Sequence, residues 1–256
     1  MMGYEHIGLE IRDNVAFLTL KRAPLNVLNI AMMKEINQAL AGLAGRDELL
    51  ALVFNAEGKA FSAGVDVGEH LGDQVHDMIA VFHGIFRRLD KLGLTSVAAV
   101  NGAALGGGCE LAVYCDVVIS SSKAKFGQPE ILVGVFPPIA ALAFPRLIGR
   151  KKAYELIVTG DSIGADEALA LGLVNKVVDP DKLDEEVDAF LNKLRRLSPL
   201  VLKKTRAAFT AGLKDQAEEG LVDIEKIYLG ELMTSRDAEE GLKAFLEKRK
   251  PHWVNK

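Results

Sequence analysis

Short β-rich runs alternate with helical patterns over the first half of the chain. Residues 6–12 and 14–20 read as two strands around a turn at Asp13-Asn14, and a loop over 21–29 follows, punctuated by Pro24 and Asn26. Apolar residues at helical spacing (Met33, Ile36, Leu40, Leu43) predict a helix over 30–43, and 49–55 is a compact apolar strand. A glycine-punctuated loop over 58–68 precedes a helix marked by Met78, Val81, Phe82, Ile85, Phe86 and Leu89, then a strand over 96–101. The glycine-rich stretch 102–108 leads into a short helix over 109–114 and a short strand over 116–120. Residues 126–129 read as extended, because a residue before proline is pushed away from helical backbone, and Pro129 can open a new helical turn.

The strands recur too closely for a doubly wound sheet with one long helix per strand. From residue 151 helices take over: 151–158 and 164–171, a strand at 174–178, then helices over 181–197, 199–213, 216–232 and 237–248. Pro180 and Ser198-Pro199 mark boundaries. With 256 residues and about 150 per domain, the expectation is one large α/β unit over 1–197 and a helical appendage over 198–256.

Composition narrows the partners. Hydrophobic residues at 49% and charged residues at 26% are ordinary globular values, which excludes disordered and fibrous classes. A net charge of −4 lacks the basic excess that neutralising many phosphates requires, so nucleic acid is not an expected partner. Cys109 and Cys115 cannot make a disulfide framework, and so few thiols fit a reducing cytoplasm. The first residues carry acids where a secretory leader needs a basic start. The most apolar stretch, 95–118, is broken by glycines, Asn101, Glu110 and Asp116, so a soluble cytoplasmic protein with no membrane partner is expected.

Three glycine-linked segments concentrate the polar residues of an otherwise apolar region: 59–66, 101–116 and 126–130. Gly106-Gly107-Gly108 before a helix leaves backbone N–H groups uncovered, which suits either a tight turn with close packing or stabilisation of a developing anion. No Gly-Lys-Ser or Gly-Lys-Thr follows, so it is not a phosphate loop of the Walker type. Glu110 lies in the first turn of an apolar helix and Glu130 follows Pro129 at the start of another apolar stretch. Each could simply complement a helix dipole. Facing one cavity, they would make an acid–base pair, and spacing alone does not show that they converge. A glycosidase-like pair fits the same residues, but the single tryptophan and the absence of an aromatic cluster near either acid argue against sugar stacking. The cysteines have no metal-ligand spacing, so no metal is expected. His70, His76 and His83 read as solvated or pocket-lining rather than as ligands or bases.

Taken in order, these segments resemble the crotonase, or enoyl-CoA hydratase/isomerase, superfamily over nearly the whole chain. The residues that carry the resemblance are Leu25-Asn26-Val27-Leu28, Lys59-Ala60-Phe61-Ser62-Ala63-Gly64-Val65-Asp66, Asn101 through Ala112, Phe126-Gly127-Gln128-Pro129-Glu130-Ile131, Gly172-Leu173-Val174-Asn175 and Ala244 through Arg249. The resemblance implies a spiral of ββα turns, a C-terminal helical segment that builds trimers or hexamers, and an acyl-CoA ligand with no metal or redox cofactor. By position it assigns the N–H groups of Ala63 and Gly107 to an oxyanion hole. Glu110 and Glu130 match the two hydratase glutamates. Lys21, Arg22, Ala23, the backbone from Ala63 to Asp66, Phe245 and Lys248 are assigned to the CoA moiety.

One departure bears on the substrate. After Gly134-Val135-Phe136-Pro137, where many hydratases continue with a Gly-x-Gly-Gly run, this chain has Pro138-Ile139-Ala140-Ala141. That resembles the branch that hydrates cyclohexa-1,5-diene-1-carbonyl-CoA. Straight-chain hydration, double-bond isomerisation with one glutamate, and a non-catalytic, RNA-binding role remain the alternatives.

Overall fold

Residues 3–212, 221–222 and 224–252 are described in the computed structural model of the chain. Among them, one six-stranded sheet runs in the order β1 (Ile7–Arg12), β2 (Val15–Leu20), β3 (Ala51–Ala56), β5 (Thr95–Val100), β7 (Val117–Ser121), β10 (Lys176–Val178). A second, four-stranded sheet runs β4 (Ala60–Ser62), β6 (Ala103–Leu105), β8 (Lys125–Gly127), β9 (Ser162–Gly164). β1 and β2 form an antiparallel hairpin with Asp13 and Asn14 both at positive φ in the turn. β2, β3, β5, β7 and β10 then pair in parallel. β3, β5 and β7 are each followed by a short strand of the second sheet (β4, β6 and β8) and then by a helix or helical turn, so the chain advances as a spiral. This is the crotonase fold.

The side-chain period of two explains why the large sheet is buried on both faces. Ala16, Leu18, Leu20, Leu52, Phe54, Ala98 and Val100 enter the main core, where α1 (Ile30–Leu43) and α2 (Gln74–Leu92) pack. Their neighbours Val15, Phe17, Ala51, Val53, Val97 and Ala99 face the other way, onto Leu183, Val187, Leu191 and Leu194 of α7 (Leu183–Leu194).

Several short elements escape the periodicity. The stretches 58–68 and 102–108 hold β4 and β6, whose three-residue lengths are too short for a pattern. After α3 (Gly107–Tyr114), the segment Pro138–Leu147 forms α4 despite Pro145, and α5 (Arg150–Thr159), β9 and α6 (Ala165–Leu171) follow. The C-terminal part contributes α8 (Pro199–Gly212), a π-helical segment (Lys226–Leu232) where an α-helix is expected, and α9 (Arg236–Leu246). Part of the helix predicted over 216–232 lies outside the described residues. α9 packs on the single-turn helices Val67–His70 and Pro129–Val133. No helix among the described residues is long and apolar enough to cross a membrane.

Candidate active site

The short strands of the second sheet carry the chain from the large sheet to one cavity of about 280 Å³. Its polar side is built from the ends of β4 and β6, the start of α3, and the helical turn after β8. Its apolar side includes Phe82, Leu132, Phe136, Pro138, Leu242 and Phe245.

The β4 end is shaped by a loop that the sequence reading named without a role. Asn26, fully buried at φ +50°, accepts from the Arg22 N–H (2.8 Å) and donates to the Glu57 and Ala60 carbonyls (2.8 and 2.9 Å). Ser62 Oγ donates to the Asn26 carbonyl at 2.8 Å. This loop takes up the Ala63 N–H, which donates to the Leu25 carbonyl at 2.9 Å. Ala63 lines the cavity, but its N–H is not available to an oxyanion, which corrects the assignment by position.

Gly64 is the reason. At φ +102° it turns the backbone over, so its own carbonyl accepts from Leu28 N–H (2.8 Å) and Asp66 N–H donates to Leu28 (3.0 Å). Val65, between those two bonds, is left with its N–H facing away from Leu28. Val65 lines the cavity and is a candidate donor there, and sequence could not choose it over Ala63 because the choice hangs on one dihedral angle.

The other candidate donor is Gly107, which lines the cavity at the N-terminus of α3. Gly106, at φ +52°, ψ −133°, lets the chain enter the helix with no side-chain cap, so the first-turn N–H groups have no intrahelical partner. Close approach also demands glycine here. A Cβ on Gly107 would stand 2.6 Å from Val65 Cγ2, and one on Gly106 would stand 2.7 Å from Glu130 Oε1.

The two glutamates line the same cavity. Glu110, 1% exposed, accepts from the Ala140 N–H at 2.7 Å, and the Ile139 N–H also stabilises it, so the N-terminus of α4 holds its carboxylate. Burial nevertheless raises its pKa to about 7. The Glu130 side chain has one oxygen over Gly106 and the other, Oε2, buried without a partner among the described residues. Burial and the neighbouring Glu110 charge push its pKa well above the usual carboxylate range. The two therefore titrate as a pair.

The residues assigned to CoA fall in two groups. Ala63 and Phe245 line the cavity, whereas Lys21, Arg22, Ala23, Asp66 and Lys248 do not. Lys21 pairs with Glu57 at 2.9 Å on the surface, and the Arg22 guanidinium donates to the Val27 carbonyl at 2.9 Å. Ala23 and Lys248 are exposed. Asp66 caps the helical turn after it by accepting from the Gly68 N–H at 2.9 Å. His70 is a cavity-lining residue, while His83 is neither solvated nor lining: it is fully buried, with Nδ1 2.6 Å from Glu225 Oε1. Arg87 joins the same carboxylate oxygen at 2.8 Å, which ties α2 to the C-terminal segment. Tyr228, also missed in the sequence, reaches the cavity from that segment.

Two carboxyls lining one cavity with the backbone of Val65 and Gly107 make an arrangement that can move protons next to a carbonyl becoming an enolate. The family model for enoyl-CoA hydratase/isomerase matches residues 10–256, and the chain belongs to that family. It is 36% identical to the crotonyl-CoA hydratase of Syntrophomonas wolfei, with all of both chains covered. It is also 36% identical to the cyclohexa-1,5-dienecarbonyl-CoA hydratase of Thauera aromatica, covering 98% of this chain and 96% of the relative. Among solved structures, an enoyl-CoA hydratase from Mycobacterium avium subsp. paratuberculosis K-10 superposes with a TM-score of 0.88 at 27% identity, covering 99% of this chain and 100% of that one.

Proposed function

We propose that this chain adds water to a conjugated enoyl-CoA thioester, and the observation that carries this reading is the pair of buried glutamates facing one cavity beside the Gly107 and Val65 N–H groups. The chain is a hydro-lyase of the enoyl-CoA hydratase type. The thioester oxygen sits between the two N–H groups, which draws electrons from the β carbon. Water loses a proton to a carboxylate as its oxygen bonds to that carbon, and the electron pair of the double bond moves onto the thioester oxygen. The enolate then takes a proton at the α carbon, or at the far end of a dienolate. Glu110, held by two backbone N–H groups, ionises first and is the base. Glu130 keeps its proton and is the acid. This chemistry needs no metal or redox cofactor.

The acyl group we favour is cyclohexa-1,5-diene-1-carbonyl, giving a 6-hydroxycyclohex-1-ene thioester. Phe136 on the cavity wall, and Pro138 at the point where many hydratases begin a glycine-rich run, support it, as does the Thauera relative. A straight, short enoyl chain is the second reading, supported by the crotonyl-CoA hydratase relative. Isomerisation needs one carboxyl and leaves the second unexplained, and RNA binding leaves the whole cavity unexplained. The CoA nucleotide is proposed to run past Lys21, Arg22, Ala23, Asp66 and Lys248, in a cytoplasmic homotrimer or hexamer. Leu200, Val201 and Phe209, each at least 60% exposed on α8, suit burial between subunits of the 198–256 segment.

Incubation with crotonyl-CoA and with cyclohexadienoyl-CoA, followed by loss of conjugated-thioester absorbance and by product mass, tests the reading. A product heavier by one water from the cyclic ester at the higher kcat/KM supports the first acyl assignment. The reverse ranking supports the second, and an isomer with no added water sinks hydration.

A further inference from the structure

A water molecule adding to the β carbon uses four directions about its oxygen. Its two O–H bonds seek acceptors, one lone pair meets the carbon, and the other can take a hydrogen bond from a donor. Acceptors are in place: Glu130 Oε2 has no partner among the described residues, and Glu110 faces the same cavity.

Donors are scarcer. Pro138, at the first position of α4 on the cavity wall, has no N–H to give. Apart from a protonated carboxyl, the side-chain donors lining the cavity among the described residues are His70 and Tyr228. Burial lowers the pKa of His70, so its ring is neutral, and Nδ1 lies 2.9 Å from the Asp66 carbonyl. The proton therefore sits on Nδ1, and Nε2 offers only a lone pair.

Tyr228 remains. It is 1% exposed, and its ring is held edge-on against Phe136, with centroids 5.1 Å apart at 83°. Its carbonyl accepts from the Met233 N–H at 2.9 Å, the five-residue spacing that widens this segment into a π-helix, a distortion common at functional sites. Among the described residues, its hydroxyl has no hydrogen-bond partner. Burial and the charges of Glu130 and Glu110 push the phenol pKa up, so it keeps its proton and donates.

We propose that Tyr228 is a further catalytic residue, whose hydroxyl donates a hydrogen bond to the oxygen being added, both as the attacking water and as the new β-hydroxyl of the product. This rests on the hydratase reading above. It transfers no proton; it orients the water so that the remaining lone pair points at the carbon.

The experiment pairs Tyr228→Phe with the unmodified protein and compares butyryl-CoA with 3-hydroxybutyryl-CoA by calorimetric titration, two esters that differ only by the oxygen in question. The unmodified protein should prefer the hydroxy ester, and Tyr228→Phe should narrow that preference by about 3- to 10-fold, the range of one neutral hydrogen bond, with butyryl-CoA affinity unchanged. In turnover, kcat should fall by at least as much while KM stays within about twofold. Tyr228→Leu removes the ring as well. If Phe restores the hydroxy-ester preference and kcat that Leu loses, the residue only packs and the proposal is overturned. An unchanged preference in Tyr228→Phe overturns it too, whether or not the protein hydrates the esters tried. Failure of the unmodified protein to hydrate any conjugated ester would instead count against the hydratase reading, because the binding comparison reads Tyr228 independently.

Discussion

The cavity has two walls of different construction. The spiral wall presents backbone and buried acid: Val65 and Gly107 N–H groups, Gly106 under Glu130, and Glu110 pinned to the start of α4. The C-terminal wall presents side chains: Tyr228, Leu242 and Phe245, carried on segments that pack on the spiral from outside. Backbone donors are fixed by the hydrogen bonds of their neighbours and cannot be altered without moving a strand or a helix. Side chains can be exchanged one at a time. On the proposed reading, the first wall sets the reaction, and the second sets how the acyl group and the incoming oxygen are held.

The largest effects should come from the spiral wall. Glu110→Gln or Glu130→Gln should lower kcat by about 10²- to 10⁴-fold, the usual contribution of a positioned acid or base, with CoA-ester binding retained. Full steady-state activity in either variant would break the division. Gly106→Ala should cost about 100-fold in kcat, because its Cβ would force Glu130 Oε1 away from a contact of 2.7 Å. Phe245→Ala, by contrast, should raise KM by a few-fold and leave kcat nearly unchanged, since that ring lines the cavity while 55% exposed. A variant at Phe245 that lost kcat as deeply as Gly106→Ala would erase the distinction between the walls.

Titration sharpens it further. Turnover should rise as Glu110 ionises near pH 7 and fall at higher pH as Glu130 gives up its proton, a bell whose arms belong to the coupled pair. The same acids cost stability. The folded pKa of Glu110 lies above its unfolded value, so the fold favours the protonated form. Stability is highest below the unfolded pKa and is lost as pH rises through about 7, on the order of 3 kcal/mol. Glu110→Gln should shrink the stability difference between pH 5 and pH 8 in urea titrations, with Glu130 supplying what remains.

Smallest is the tie between the walls. Glu225→Gln weakens the contacts with His83 and Arg87 and should cost about 1–2 kcal/mol of stability with little change in turnover. His83 holds the carboxyl of Glu225 below the usual range, so this contribution is present above the ordinary carboxylate pKa and fades as pH falls through the lowered one.

Much of this architecture is readable from local pattern. The hairpin at Asp13-Asn14, the strands of the large sheet and α1 declare themselves because their side chains alternate or recur against one continuous core. β4, β6 and β9 do not, since three residues carry no period, and α4 hides behind its prolines. The chemistry divides in the same way. Residue types and order determined that Glu110, Glu130 and the glycines around them were the candidates, because buried acids and clustered glycines are conspicuous in an apolar region. Only the tertiary structure decided that both acids share one cavity, that the Ala63 N–H goes to Leu25 and leaves Val65 facing the site, and that Tyr228 reaches it from 98 residues beyond Glu130. Those outcomes depend on the sign of φ at Gly64 and on helices docking across long sequence separation, and neither is encoded in spacing along the chain.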